Sequence, residues 1–152
     1  MKLRHHIAFL LFAVLTVVLM SCTPEACFEE TNAFLKATFY SNETKEKKTP
    51  DSLSVTGIRM PDKLYDRQSG VQPCLFPLDA SSGTCSFVIK INNIKDTVIF
   101  QYSSYPHLVS KECGYTFYHR LDTFFVRNNS FYIYRSSDNV TTANEENIRI
   151  YY

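Results

Sequence analysis

The sequence predicts an all-β fold, an antiparallel β-sandwich of seven to nine strands behind an N-terminal signal-peptide helix, and three observations carry that prediction. Apolar and polar residues alternate in several short runs, the period of a strand with one buried face. Clusters of Asn, Asp, Ser, Gly and Pro separate those runs. Beyond residue 22 no stretch sustains the 3.6-residue period of an amphipathic helix. Two packed sheets bury many half-apolar strands, and an immunoglobulin-like order is one way to connect them, although alternation alone does not fix the connections.

Taken in order, Asn32 to Tyr40 carries Phe34, Leu35, Phe39 and Tyr40 and reads as the first strand. The polar stretch Ser41 to Asp51, with Lys45-Glu46-Lys47-Lys48, reads as a solvated loop. Ser52 to Ile58 sets Leu53 and Val55 against Ser52, Ser54 and Thr56, a half-buried strand. Arg59 to Gln72, with Pro61, Asp62, Asp66 and Gly70, predicts turns around one short strand at Leu64 and Tyr65. Pro73 to Leu78 and Thr84 to Ile91 flank the turn cluster Asp79 to Gly83 and predict a hairpin, its return strand placing Phe87, Ile89 and Ile91 on one face. Asn92 to Asp96 predicts a turn, Thr97 to Tyr102 a strand with Val98, Phe100 and Tyr102 on one side, and Tyr105 to Lys111 a shorter one. Tyr115 to Val126 is long enough to cross a whole sheet, and Tyr115, Phe117, His119 and Leu121 share a face. Asn128-Asn129 turns the chain into the strand Ser130 to Arg135. A polar loop, Ser136 to Glu146, leads to a last strand, Asn147 to Tyr152, where Ile148 and Ile150 alternate with Arg149 and Tyr151.

The N-terminus is of another kind. Lys2 and Arg4 precede an uncharged run from Ile7 to Met20, the layout of a secretory signal, and the run is short of the ~20 apolar residues a membrane span needs. Leu19-Met20-Ser21-Cys22 resembles the bacterial lipobox, which implies that the Cys22 thiol is alkylated by diacylglycerol and that cleavage leaves Cys22 as the new N-terminus. Two or three acyl chains hold such a protein on a bilayer, each buried CH₂ contributing ~0.8 kcal/mol. Thr23 rather than Asp follows the Cys, and Thr23-Pro24-Glu25-Ala26 has no acidic cluster. By resemblance to lipoprotein sorting in two-membrane bacteria, the expected place is the periplasmic side of the outer membrane rather than the cell surface. The chain thus divides into a signal peptide, 1–21, a lipidated tether, 22–31, and a sandwich domain, 32–152.

Of 152 residues, the first 21 removed leave 131, one domain by length. The 16 basic residues less Lys2 and Arg4 leave 14 against 15 acidic, a balance that gives no electrostatic case for nucleic acid. With Cys22 lipidated, Cys27, Cys74, Cys85 and Cys113 remain, an even count that reads as two disulfides with three pairings open. The hairpin geometry favours Cys74 with Cys85, facing each other across its two strands. That leaves Cys27 with Cys113, closing a loop for which chain entropy gives roughly 4 to 5 kcal/mol. No C-x-x-C occurs and the histidines after the signal are His107 and His119, so no metal site or cofactor is expected.

Cys22 with Cys27 five residues on, Leu75-Phe76-Pro77-Leu78-Asp79, His107-Leu108-Val109-Ser110-Lys111-Glu112-Cys113-Gly114-Tyr115, and the closing Asn147-Ile148-Arg149-Ile150 resemble a family of short Bacteroidota lipoproteins that carry only a domain-of-unknown-function label. The Val-Ser-x-x-Cys-Gly segment is the most specific part. The resemblance implies the anchor and a β domain and brings no catalytic residue; Cys74 and Cys85 lie outside its pattern.

His107, Glu112 and His119, with Ser110 as nucleophile, are the residues a small periplasmic hydrolase would use, but no G-x-S-x-G, S-x-x-K or paired-carboxylate pattern accompanies them. His119, between Phe117 and Leu121 on one face, reads first as a core or rim histidine. Tyr132, Tyr134, Tyr151 and Tyr152 are the candidate binding residues, since tyrosine offers contact area at low entropy cost; cross-strand pairing is the plainer reading of the same residues. Asp51-Ser52-Leu53 and Asp96-Thr97-Val98 resemble a short O-glycosylation signal, and Asn42, Asn128 and Asn139 open N-x-S/T triplets that matter only in a eukaryotic host. The expectation is a non-catalytic binding or structural module on a lipid anchor, whose partners are the membrane and an envelope protein or glycan. A surface adhesin or glycan-binding subunit is the alternative beside the hydrolase.

Overall fold

The computed structural model describes residues 26–152; the signal segment and Cys22 lie outside the described residues. Among the described residues ten strands form two sheets. The smaller has the order β4-β1-β10-β8, built from β4 (Cys74–Pro77), β1 (Phe34–Tyr40), β10 (Ile148–Tyr151) and β8 (Tyr132–Arg135). The larger has the order β3-β2-β5-β6-β7-β9, built from β3 (Lys63–Gln68), β2 (Leu53–Gly57), β5 (Thr84–Ile91), β6 (Ile94–Ser110), β7 (Gly114–Val126) and β9 (Asn139–Val140). The expected all-β sandwich is present, with one strand more than the expected range and with β1 and β10 parallel rather than antiparallel. The strand order is also not the ABED and CFG arrangement of an immunoglobulin domain.

Alternation decides which side chains meet. Leu35, Ala37 and Phe39 of β1, Cys74 and Phe76 of β4, Ile133 of β8 and Ile148 and Ile150 of β10 point inward from the smaller sheet. They meet Leu53, Val55, Phe87, Ile89, Ile91, Val98 and Phe100 of the larger one. Phe76 lies against Phe87 and Phe100 with ring centroids 5.0 and 5.5 Å apart, a cluster that joins the two layers.

Two strands differ from their sequence reading in a way that matters. Thr97–Tyr102 and Tyr105–Ser110 belong to one strand of 17 residues, β6, because Ser103 and Ser104 stay in register with Arg120 and His119. The proposed hairpin is also corrected. β4 and β5 form as strands, yet β4 pairs with β1 and β5 with β2 and β6. The connection between them crosses from one sheet to the other, pinned where the Tyr102 hydroxyl accepts from the Asp79 N–H and donates to the Asp79 carbonyl, each at 2.9 Å. Cys74 and Cys85 therefore sit on facing layers, and both are free thiols rather than the predicted disulfide. The Cys74 thiol lies against the Tyr65 side chain and the Cys85 thiol against that of Tyr102, so each has its own neighbour and the two do not meet.

Cys27 and Cys113 are joined as expected, with Cα atoms 4.8 Å apart and a sequence separation of 86. The bond lies at the tip of a ribbon. β5 accompanies β6 only as far as Gln101, and β9 meets β7 only at His119 and Arg120, so from Ser104 to Ser110 and from Gly114 to Tyr118 the two strands have only each other. This arm extends roughly 20 Å at ~3.4 Å per residue. Gly114, with φ of +72°, closes the tip turn in the left-handed region that glycine adopts without strain. The tether runs back from Cys27 along the arm, its Thr31 carbonyl accepting from the Thr116 hydroxyl, and enters the smaller sheet at Phe34.

Candidate functional site

The outer face of the smaller sheet gathers tyrosines from three strands. Tyr40, Tyr151 and Tyr132 are successive cross-strand partners on β1, β10 and β8, and the next rung is Thr38, Arg149 and Tyr134. Ring centroids are 5.3 Å apart between Tyr40 and Tyr151 and 5.7 Å between Tyr151 and Tyr132. The Arg149 guanidinium lies over both Tyr40 and Tyr134, and Lys45 lies over Tyr151. Glu146 fixes this arrangement, accepting from Arg149 Nε at 2.6 Å, from the Ser136 hydroxyl at 2.8 Å and from the Tyr40 hydroxyl at 3.2 Å. Burial pushes the Tyr40 pKa upward and Glu146 adds to it, so its hydroxyl stays protonated and able to donate. Tyr132 and Tyr134 are 62 % and 51 % exposed, flat aromatic surface next to a fixed cation.

Three of the four sequence-selected tyrosines thus share one face. Tyr152 does not: it turns inward, its ring edge-on to Phe39 at 6.3 Å with Lys48 over it. Tyr40 is the member that sequence reading missed as a binding residue. Its signal lay in the alternation of β1, which sets it opposite the inward Phe39.

The histidines and Ser110 do not converge. His107 stacks on Tyr118 with ring centroids 4.1 Å apart, on the ribbon face opposite His119. Ser110 Oγ accepts from the Cys113 N–H at 3.0 Å and so serves the tip turn, where Glu112 is exposed. His119 is 3 % exposed, edge-on to Tyr102, with Nδ1 2.8 Å from Oγ of Ser104, its cross-strand partner. Burial lowers the His119 pKa, which keeps the ring neutral. Among the described residues no carboxylate hydrogen-bonds this ring, so the hydroxyl–imidazole pair has no third group to orient it as a base. His119 also borders a cleft of about 240 Å³ between the tether, the Pro77–Ala80 segment and Thr116 and Phe117.

Of the two glycosylation-like triplets, Asp96-Thr97-Val98 is folded away: Asp96 and Thr97 are buried and Val98 is fully so. Ser52, half-buried beside an exposed Asp51, is the reachable one. Among the described residues no group of three His, Cys, Asp or Glu side chains stands in position to hold a metal ion.

The solvent face of the larger sheet carries a groove of about 720 Å³ that includes Lys63, Arg67, Lys90 and Lys95 with Asp66 as its acid. Lys90 and Lys95 are direct cross-strand partners, a like-charge pairing that costs stability.

Comparison with known proteins finds no match among curated proteins and none among solved structures. Residues 52–152 match the model of a family of unknown function, DUF6452. The chain belongs to that family, and the matched region takes in β2 to β10 and Cys113 but not β1, the tether or Cys27.

Proposed function

We propose that this chain is a lipid-anchored envelope protein acting as a non-catalytic binding module, held at Cys22 on the periplasmic side of an outer membrane and presenting its tyrosine face to an envelope protein or glycan. The observation that carries the reading is the Tyr40–Tyr151–Tyr132 ladder with Arg149 beside it. A rigid aromatic surface next to a fixed cation loses little entropy on binding and suits a sugar ring or a peptide. The ladder's Tyr40 rung lies at the end of β1 away from the tether, so an anchored domain would present it outward. The lipobox-like Cys22 supports the anchor.

The test is in-cell photo-crosslinking from Tyr132 and Tyr134, with palmitate labelling of the wild type and Cys22→Ala. One recurrent envelope partner, lost in a folded Tyr134→Ala variant, is expected, as is palmitate incorporation abolished by Cys22→Ala. Turnover of an envelope substrate that disappears in folded Ser104→Ala would replace the module with the hydrolase. The Lys90–Lys95 pairing favours a second reading, in which an acidic partner occupies the groove and relieves the repulsion. Crosslinks from Lys95 rather than Tyr134 would select it.

A further inference from the structure

The arm carries a second concentration of exposed apolar side chains. Of the ten large hydrophobic residues that are exposed among the described residues, Phe28, Tyr105, Leu108, Tyr115 and Phe117 belong to the arm or the tether beside it. Register explains how they arise. The core-facing side of the larger sheet continues along the ribbon through the pairs Tyr102–Leu121, Ser104–His119, Pro106–Phe117 and Leu108–Tyr115. Exposure on that face climbs from 1 % at Leu121 and 3 % at His119 to 48 % at Phe117 and 75 % at Tyr115. A core-type face has been extended past the layer that covers it, and Phe28, 92 % exposed, stands next to the tip disulfide. Apolar surface left open in this way marks a contact surface.

The tether indicates what meets it. Cys22 and Cys27 are five residues apart, at most roughly 18 Å of extended chain. The Cys27–Cys113 bond then fixes the arm's tip to the end of that spacer. We propose that Phe28, Leu108, Tyr115 and Phe117 form a bilayer-contact surface that seats the tip of the arm in the headgroup region of the membrane that holds the Cys22 acyl chains. The inference rests on the lipid-anchor reading above. Tyrosine and phenylalanine at a membrane boundary bury their rings among headgroups and upper acyl chains. Lys111, Glu112, Glu29 and Glu30 lie within three residues of the bonded cysteines in the sequence, one base against three acids, so apolar contact rather than attraction to anionic lipid holds the tip. The disulfide makes the seating two-pointed, by acyl chain and by arm, and directs the tyrosine face away from the bilayer.

The chain contains no tryptophan, so a single substitution is a clean reporter. Full-length acylated protein carrying Phe28→Trp, Tyr115→Trp or, as control, Tyr132→Trp is reconstituted into phosphatidylcholine vesicles with brominated acyl chains, and flotation and palmitate labelling are read in parallel. Emission at positions 28 and 115 is expected to fall about twofold or more relative to unbrominated vesicles, with little change at 132 and little effect of salt. Phe28 lies outside every strand, so that variant reports even where Tyr115→Trp disturbs the ribbon. Floating, labelled protein without quenching at 28 and 115 would overturn the seating and leave the anchor standing. Absence of palmitate and of flotation would overturn both. A blue shift that grows with protein concentration in detergent, without bromide quenching, would assign the face to a second copy of the chain and overturn the bilayer.

Discussion

The carboxylate of Asp96 at the start of β6 accepts the backbone N–H of Asn128 at 3.0 and 3.1 Å from its two oxygens, and thereby holds the turn between β7 and β8. Asn128 Nδ2 donates to the same group at 3.0 Å, the Ser130 N–H at 2.9 Å and the Thr97 N–H at 2.7 Å. One buried side chain therefore ties the larger sheet to the strand that enters the smaller one.

Removing that carboxylate leaves several backbone donors unpaired. Asp96→Ala is expected to destabilise the domain by about 3 to 5 kcal/mol and Asp96→Asn by about 2 to 4, measured by urea unfolding. Burial raises the Asp96 pKa, but the N–H donors of Ser130, Thr97 and Asn128 outweigh it and the net shift is downward. A depressed folded pKa means that the stabilisation is complete above the unfolded value, ~3.9, and is lost as pH falls through the folded one. Wild type should therefore lose stability more steeply than Asp96→Asn below about pH 4. Parallel curves through that range would refute the assignment.

The cysteines give an independent check. Peptide mapping without reductant should recover Cys27 linked to Cys113 and leave Cys74 and Cys85 unlinked. Burial pushes both thiols upward, Cys85 to about 12, so neither should react with iodoacetamide at pH 8 until the protein unfolds. Cys113→Ser should lower stability by up to roughly 4 to 5 kcal/mol and free the tether for proteolysis. Rapid native alkylation of Cys74 would contradict its burial in the core.

His119 should act through pH. Burial holds its folded pKa below the unfolded ~6.5, so its contribution is present above that value and is lost as pH falls from there through the folded pKa. Unfolding free energy of wild type should fall as pH drops below about 6.5 by more than that of His119→Gln, which has nothing to protonate. Equal slopes would mean that the ring takes up its proton as readily in the folded chain as in the unfolded one, against the lowering that burial imposes.

The amino-acid sequence by itself determined most of the strands, because side-chain alternation is a local property; β9, two residues long, forms instead inside the expected loop Ser136 to Glu146. Leu53 and Val55, Val98 and Phe100, and Ile148 and Ile150 declare an inward face without reference to any other strand. Asn92 and Asn129, both at positive φ, stood where turns were expected. The even cysteine count suggested two disulfides where one forms, and Cys27–Cys113 was reached only by elimination from a Cys74–Cys85 pair that does not exist. Pairing belonged to the tertiary structure. A turn cluster between two strands looks the same whether they become hydrogen-bonded neighbours or cross from one sheet to the other, and for β4 and β5 it was the packing of Phe76 between Phe87 and Phe100 that put them on facing layers. The same holds for the candidate sites. Tyr151 and Tyr152 are adjacent in the chain and point to opposite sides, and Tyr40 joins Tyr132 only because β10 inserts between β1 and β8 in parallel with β1. Tyr115, Phe117, His119 and Leu121 share one face in the sequence as in the fold; where the smaller sheet stops covering that face decides which of them is core and which is surface.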